Sequence, residues 1–171
     1  ISKLIGGYDH QLKLKADMGC LGETELQCYN RFLNDLDRSK NDRDFPYIFD
    51  SSEVKRVLEF CSLLVGYDAQ GNLQKLKLYP WQKFVVLNLF GWRHKQSKLL
   101  RYRESYISVA RRNGKSALSS VLLHYFMAAS TFRSERAICF SVKKDSAKIV
   151  FRQFLSYIDA EGNKKTPIMI H

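Results

Sequence analysis

The segment Ser105-Tyr-Ile-Ser-Val-Ala110 is dense in β-branched and aromatic residues, which pack well on a pleated surface, and it reads as a buried strand. A basic turn follows, Arg111-Arg-Asn-Gly-Lys-Ser116. From Ala117 to Ala129 the apolar residues Leu118, Val121, Leu122, Tyr125 and Phe126 recur at helical spacing. Arg136–Val142 encloses a second strand candidate. Asp145 or Ser146 can cap a final helix carrying Ile149, Val150, Phe151, Phe154, Leu155 and Ile158. Two strands separated by a helix are expected to lie parallel, joined by a right-handed crossover. The expected fold class is therefore α/β, a parallel sheet with flanking helices.

The part before this unit reads differently. Residues 1–22 hold Gly6, Gly7, Gly19 and Gly22, show little periodicity, and suggest an irregular lead-in. From Glu23 to about Arg38, Leu26, Tyr29, Leu33 and Leu36 predict a helix, broken by the polar run Ser39–Asp44. Ser51 or Ser52 can cap the next helix, whose stripe is Val54, Val57, Leu58, Cys61, Leu64 and Val65 and which Gly66 ends. Tyr67–Leu78 reads as a turn with a short extended piece around Gly71-Asn72. Pro80 suits the first turn of a helix running through Trp81, Phe84, Val85, Leu87, Leu89 and Phe90 to Gly91. The expected division is 1–78, an N-terminal lead-in and helical segment, and 79–171, the start of the α/β core.

Charge also divides the chain, a little further on, between Gly91 and Trp92. Residues 1–91 hold 12 Lys+Arg and 12 Asp+Glu, whereas residues 92–171 hold 16 and 5, so the whole excess of +11 lies in the second part. Its densest run is Arg93, Lys95, Lys98, Arg101, Arg103, Arg111, Arg112 and Lys115, opposed only by Glu104. Such asymmetry suggests a polyanionic partner, nucleic acid or nucleotide phosphate; a solvated basic face is the alternative. A hydrophobic fraction of 45% rules out global disorder. No apolar run approaches the ~18 residues of a membrane span. The cysteines (Cys20, Cys28, Cys61, Cys139) are too irregularly spaced for a disulfide framework or a zinc site, which fits a reduced, intracellular setting without a secretory leader. The chain does not begin with Met, so a fragment of a longer protein is expected.

Strand, turn, Gly114-Lys115-Ser116 and helix is the layout of a phosphate-binding loop. Gly114 lets the backbone approach phosphates, and the helix start adds its N–H groups and positive dipole end. Lys115 can supply a point charge and the Ser116 hydroxyl can ligate Mg²⁺. The match to GxxxxGK[ST] is incomplete, because Val109 stands where the first Gly belongs. A basic turn that caps a helix remains the plain alternative. Asp159-Ala-Glu161 does not supply the acidic partner, since Asp159 follows a helical pattern rather than an apolar strand.

Taken together, Leu78-Tyr-Pro-Trp-Gln-Lys83, Leu89-Phe-Gly-Trp92 and Tyr106-Ile-Ser-Val-Ala-Arg-Arg-Asn-Gly-Lys-Ser116 resemble the large terminase subunit of tailed bacteriophages, over roughly residues 45–155. That family's phosphate loop commonly lacks the first Gly and carries an Arg three residues before the second, the place of Arg111. The resemblance implies a P-loop NTPase-type sheet, incomplete in this chain. It implies a DNA-packaging motor ATPase using ATP and Mg²⁺, with an endonuclease domain elsewhere in the full protein. Carried over, Lys115 and Ser116 bind phosphate and Mg²⁺, and Arg111 is a transition-state or coupling arginine. Arg112, Asn113 and Gly114 complete the loop. Gln82 reads adenine through its N6 donor and N7 acceptor, with Trp81 packed nearby. Implied partners are double-stranded DNA, the small terminase subunit, the portal and further copies of the motor in a ring, with no membrane, in the bacterial host cytoplasm. The chain ends before a Walker B pair, so weak nucleotide binding and negligible turnover are expected of it alone. A basic nucleic-acid-binding module and a helicase-like P-loop ATPase are the competing readings.

Overall fold

The computed structural model describes residues 7–67, 72–128, 140 and 144–160. In chain order the elements are α1 (Tyr8–Asp17), α2 (Glu23–Asn41), β1 (Tyr47–Phe49), α3 (Ser51–Leu63), β2 (Val65–Tyr67), β3 (Leu73–Lys75), α4 (Pro80–Gly91), β4 (Trp92–His94), α5 (Lys115–Ala128) and α6 (Lys144–Ala160). They fall into two compact units. One holds the chain up to Leu58 together with Leu78–Ile107; the other holds Glu59–Lys77 and the chain from Ser108 onward.

The first unit is built on aromatic side chains. Tyr8, Leu12, Phe32, Leu36, Phe45, Val54, Phe84, Leu87 and Trp92 form one buried cluster. The Tyr8 ring stacks on Phe84 with centroids 4.5 Å apart, and Phe32 meets Phe49, Phe84 and Trp92 edge-on. Burial of each such ring contributes about 1.5–3 kcal/mol. α1 is thereby ordered where the sequence suggested an irregular lead-in. Only Tyr8 and Leu12 of its ten residues are buried, too few to show as periodicity, yet they are one turn apart and enter the core together. The Tyr8 hydroxyl donates to Glu25 Oε1, which Lys15 Nζ also reaches at 2.7 Å.

On α2 the buried face is Phe32, Asp35 and Leu36, with Leu26 and Leu33 exposed, so the stripe is rotated from the one the sequence suggested. The start of α3 is capped by Asp50 rather than by Ser51 or Ser52: its Oδ1 accepts the N–H groups of Ser52 and Glu53 at 3.0 and 3.2 Å. Pro80 opens α4 as expected. β1 and β4 pair antiparallel, Tyr47 with His94 and Phe49 with Trp92. Gly91 is needed at the end of α4 because a Cβ there would overlap the Phe49 ring.

In the second unit β2 and β3 form an antiparallel hairpin, Val65 opposite Lys75. α5 and α6 pack around Leu118, Val121, Tyr125, Phe154 and Tyr157, all buried. The Ser120 hydroxyl, fully buried, lies 2.8 Å from both the Ser116 carbonyl one turn back and the Val150 carbonyl on α6. Gly66 lets β2 meet the Tyr157 ring, since a Cβ would stand 2.9 Å from its Cε1.

The architecture is mixed α/β, but the described residues contain two small antiparallel sheets and no parallel pair. Residues 104–110 belong to no helix and no ladder. Ile107 and Val109 are half-buried while Tyr106, Ser108 and Ala110 are exposed, Tyr106 at 93%. That alternation is the period of a strand, but not the two-sided burial of a parallel one. The partner expected at 136–142 lies outside the described residues, apart from Phe140. Among the described residues no helix is long and apolar enough to cross a membrane.

Candidate functional site

The loop Arg111–Gly114 leads directly into α5, whose first residue is Lys115. Two of its residues have left-handed backbone, Arg112 at φ 67° and Gly114 at φ 75°. Gly114 adopts this at no steric cost, whereas for Arg112 it costs about 1–2 kcal/mol. Left-handed residues of this kind turn successive N–H groups toward one side, as in anion-binding concavities. Helix formation starts at once: Leu118 N–H donates to the Gly114 carbonyl at 3.0 Å. The N–H groups of the first turn of a 14-residue helix are therefore aligned at the loop without intrahelical acceptors.

Arg111, Arg112, Asn113 and Lys115 are exposed, and Gly114 and Ser116 half-buried. Among the described residues no salt bridge engages Arg111, Arg112 or Lys115. Three such cations beside a helix start suit a polyanion. The Ser116 hydroxyl is a hard oxygen donor of the kind Mg²⁺ takes, two residues into the helix, so the donor chemistry fits that ion.

Trp81 and Gln82 belong to the other unit, in the first turn of α4. Trp81 is half-buried against the aromatic cluster. Gln82 is 3% exposed, and its Oε1 accepts the Tyr79 N–H at 2.8 Å. A Gln at the third helical position that reaches back to the N-cap backbone is half of a capping box. The usual sequence signal has Ser, Thr, Asp or Asn at the N-cap, and Tyr79 stands there instead, so Gln82 does not stand out as a cap in the residue order.

The remaining basic run is partly committed internally. Arg101 pairs with Asp35 at 2.7 Å, and its guanidinium lies over Tyr47, Tyr102, Phe45 and Trp92 at 4.6–5.5 Å. Arg93 reaches Asp50 at 3.7 Å and Glu53 at 3.5 Å, and Lys95 Nζ donates to the Arg43 carbonyl. Three of the eight cations in that run, Arg93, Lys95 and Arg101, are thus engaged within their own unit. Asp35, buried on α2, does not stand out by its sequence position.

The sequence model of the family described as terminase large subunit, ATPase domain, matches residues 80–166. The chain belongs to this family. The match begins at Pro80, the first residue of α4, and takes in both the Trp81-Gln82 turn and the Arg111–Ser116 loop. It therefore covers every terminase site residue expected from the sequence. No curated protein and no solved structure matched the chain. Membership in the terminase ATPase family supports nucleotide use in general.

Proposed function

We propose that this chain binds ATP with Mg²⁺ as the nucleotide-binding part of a DNA-packaging motor ATPase. In the assembled motor, hydrolysis would be coupled to moving double-stranded DNA into a procapsid. The observation that carries the reading is the coincidence of the family match with the loop itself. Left-handed Arg112 and Gly114 lead into a long helix beside three cations that no carboxylate pairs among the described residues. In this reading the loop N–H groups and Lys115 hold the β- and γ-phosphates. Arg111 offsets charge that develops during transfer, and Arg112 and Asn113 shape the loop. Mg²⁺, when bound through Ser116, supplies further charge neutralisation. By the family resemblance, Gln82 would read the adenine, with Trp81 packed nearby. The small terminase subunit, the portal and further motor copies would be the partners, and the host cytoplasm the setting.

The test is titration of ATP-Mg²⁺ against the wild-type chain and Lys115→Ala. Loss of one charge-assisted contact to phosphate should weaken binding about tenfold or more. Equal affinities would remove the phosphate-loop assignment. Salt-steep DNA binding indifferent to both ATP and Lys115→Ala would favour a nucleic-acid-binding module instead.

A further inference from the structure

Arg31 and Arg38 share one flank of α2. They are two helical turns apart, which sets them about 10 Å apart along the axis. Each guanidinium lies over a ring from elsewhere in the first unit, Arg31 over Tyr102 at 5.8 Å and Arg38 over Phe45 at 4.5 Å. Arg101 lies over the same two rings, at 5.0 and 5.5 Å, and is held by Asp35. Arg31, Tyr102, Arg101, Phe45 and Arg38 therefore form one continuous row. Lys95 adjoins it, since its Nζ reaches the Arg43 carbonyl at 3.3 Å, two residues before Phe45. Arg31, Arg38 and Arg43 belong to the first 91 residues, whose 12 cations and 12 carboxylates cancel. The fold sets them beside the start of the basic half, a patch that the charge count along the chain does not show.

Two members of the row are accessible. Arg31 is exposed, and among the described residues no salt bridge engages it. The Arg38 side chain is 46% exposed and pairs with Asp42 at 3.1 Å, a partly exposed contact of the weak kind that a competing anion can replace. Asp42 and Asp44, on the turn after α2, are the opposing carboxylates. Stacking on a ring restricts a guanidinium without using its N–H donors, so less freedom is lost when an anion binds. The rings themselves are not available to bases. Phe45 and Trp92 are buried, and half-buried Tyr102 already carries two guanidiniums. Single strands are gripped largely by bases stacked on free aromatic faces. A row of restrained cations suits instead a duplex, which carries about one charge per 1.7 Å of axis.

We propose that the Arg31–Arg38 flank of α2 contacts the phosphates of duplex DNA, through residues outside the phosphate loop. The choice of DNA as the polyanion rests on the packaging-motor reading.

The experiment follows a labelled duplex of about 20 base pairs binding to the whole chain, by fluorescence anisotropy from about 50 to about 200 mM salt, with thermal midpoints alongside. Arg31→Gln and Arg38→Gln should each flatten the slope of log affinity against log salt by about 1, and weaken low-salt binding roughly three- to tenfold. Arg31→Lys and Arg38→Lys keep the charge and should keep the slope. Asp42→Asn releases Arg38 and retains an oxygen for the Asp44 N–H. It should tighten duplex binding, and the gain should vanish when Arg38→Gln is added. A wild-type slope in a folded double variant, Arg31→Gln with Arg38→Gln, overturns the proposal. So does a single strand bound as tightly as the duplex, or a slope flattened equally by the Lys variants, which would trace the effect to structure. ATP-Mg²⁺ affinity should be unchanged in every one of these variants, so failure here leaves the phosphate-loop reading to its own test with Lys115→Ala. If Arg38→Gln fails to fold, Arg31→Gln and Asp42→Asn decide.

Discussion

Breaking the Asp35–Arg101 pair should have unequal effects from its two ends. The charges meet at 2.7 Å, with the Asp35 side chain 5% and the Arg101 side chain 17% exposed. Truncating Arg101 to Met leaves a carboxylate enclosed on α2 without its counter-ion, the situation that costs about 3–5 kcal/mol. Replacing Asp35 with Asn is milder. The Arg101 guanidinium keeps four aromatic faces at 4.6–5.5 Å, each worth ~0.5–2 kcal/mol to a cation, and Asn still offers an oxygen. A loss of about 1–2 kcal/mol is expected. The assay is urea unfolding followed by tryptophan fluorescence. The chain has two tryptophans, Trp81 and Trp92, and both lie in the same unit as the pair, so the signal reports on that unit. At a urea slope of about 1–3 kcal/mol per molar, the Arg101 variant should shift its midpoint by more than about 1 M. A double variant, Asp35→Leu with Arg101→Met, should recover much of the loss, because two apolar side chains leave no buried charge. Equal costs from the two single changes, or a double variant as unstable as Arg101→Met, would refute the reasoning.

Asp50→Ala removes the cap of α3 and should cost about 1 kcal/mol. Burial pushes the Asp50 carboxyl up, but the Ser52 hydroxyl, the N–H groups of Glu53 and Ser52 and the nearby Arg93 outweigh it, so the net shift is downward. A depressed pKa in the fold adds stability above the ordinary aspartate value of about 3.9 and loses it as pH falls through the folded value. Thermal midpoints from about pH 6 to about pH 3 should therefore fall less steeply for Asp50→Asn than for wild type; parallel curves would contradict this. Burial pushes the Cys61 thiol up to about 12 and leaves it 2% exposed, whereas Cys20 and Cys28 are exposed. Iodoacetamide with peptide mapping at about pH 8 should label Cys20 and Cys28 in the native chain and Cys61 only after unfolding. Arg112→Gly relieves a left-handed arginine at φ 67°. Its thermal midpoint by circular dichroism should rise, by a net ~0.5–1 kcal/mol after the unfolded chain's added freedom, while ATP-Mg²⁺ binding weakens. A lowered midpoint would show that the loop is not strained at that residue.

Local chemistry is enough to make several elements legible in the residue order. Pro80 followed by apolar residues specifies a helix start by itself, because the ring presets φ and lacks only an N–H that the first turn does not use. The Gly114-Lys115-Ser116 turn is equally local: a glycine able to take positive φ, then a run of good helix formers, and the described α5 starts at Lys115. Other features depend on what lies across from a segment. α1 exists because Tyr8 finds Phe84 and Glu25, 76 and 17 residues away in sequence. The alternation at Ile107 and Val109 belongs to a strand only if a ladder partner is present, and none is among the described residues.

By itself the sequence determined the short-range content of this protein: where helices begin, where the basic loop falls and which family the chain resembles. These follow from backbone preferences and residue order within a turn or two. The tertiary structure decided which charges are free. Arg93 and Arg101 read along the chain as members of the same basic run as Arg111 and Lys115, but carboxylates on α2 and at the start of α3 reach them through space. The loop cations have no such partner among the described residues. The energy of a charge depends on the ions and rings within a few ångströms of it in three dimensions, and chain order does not contain those distances.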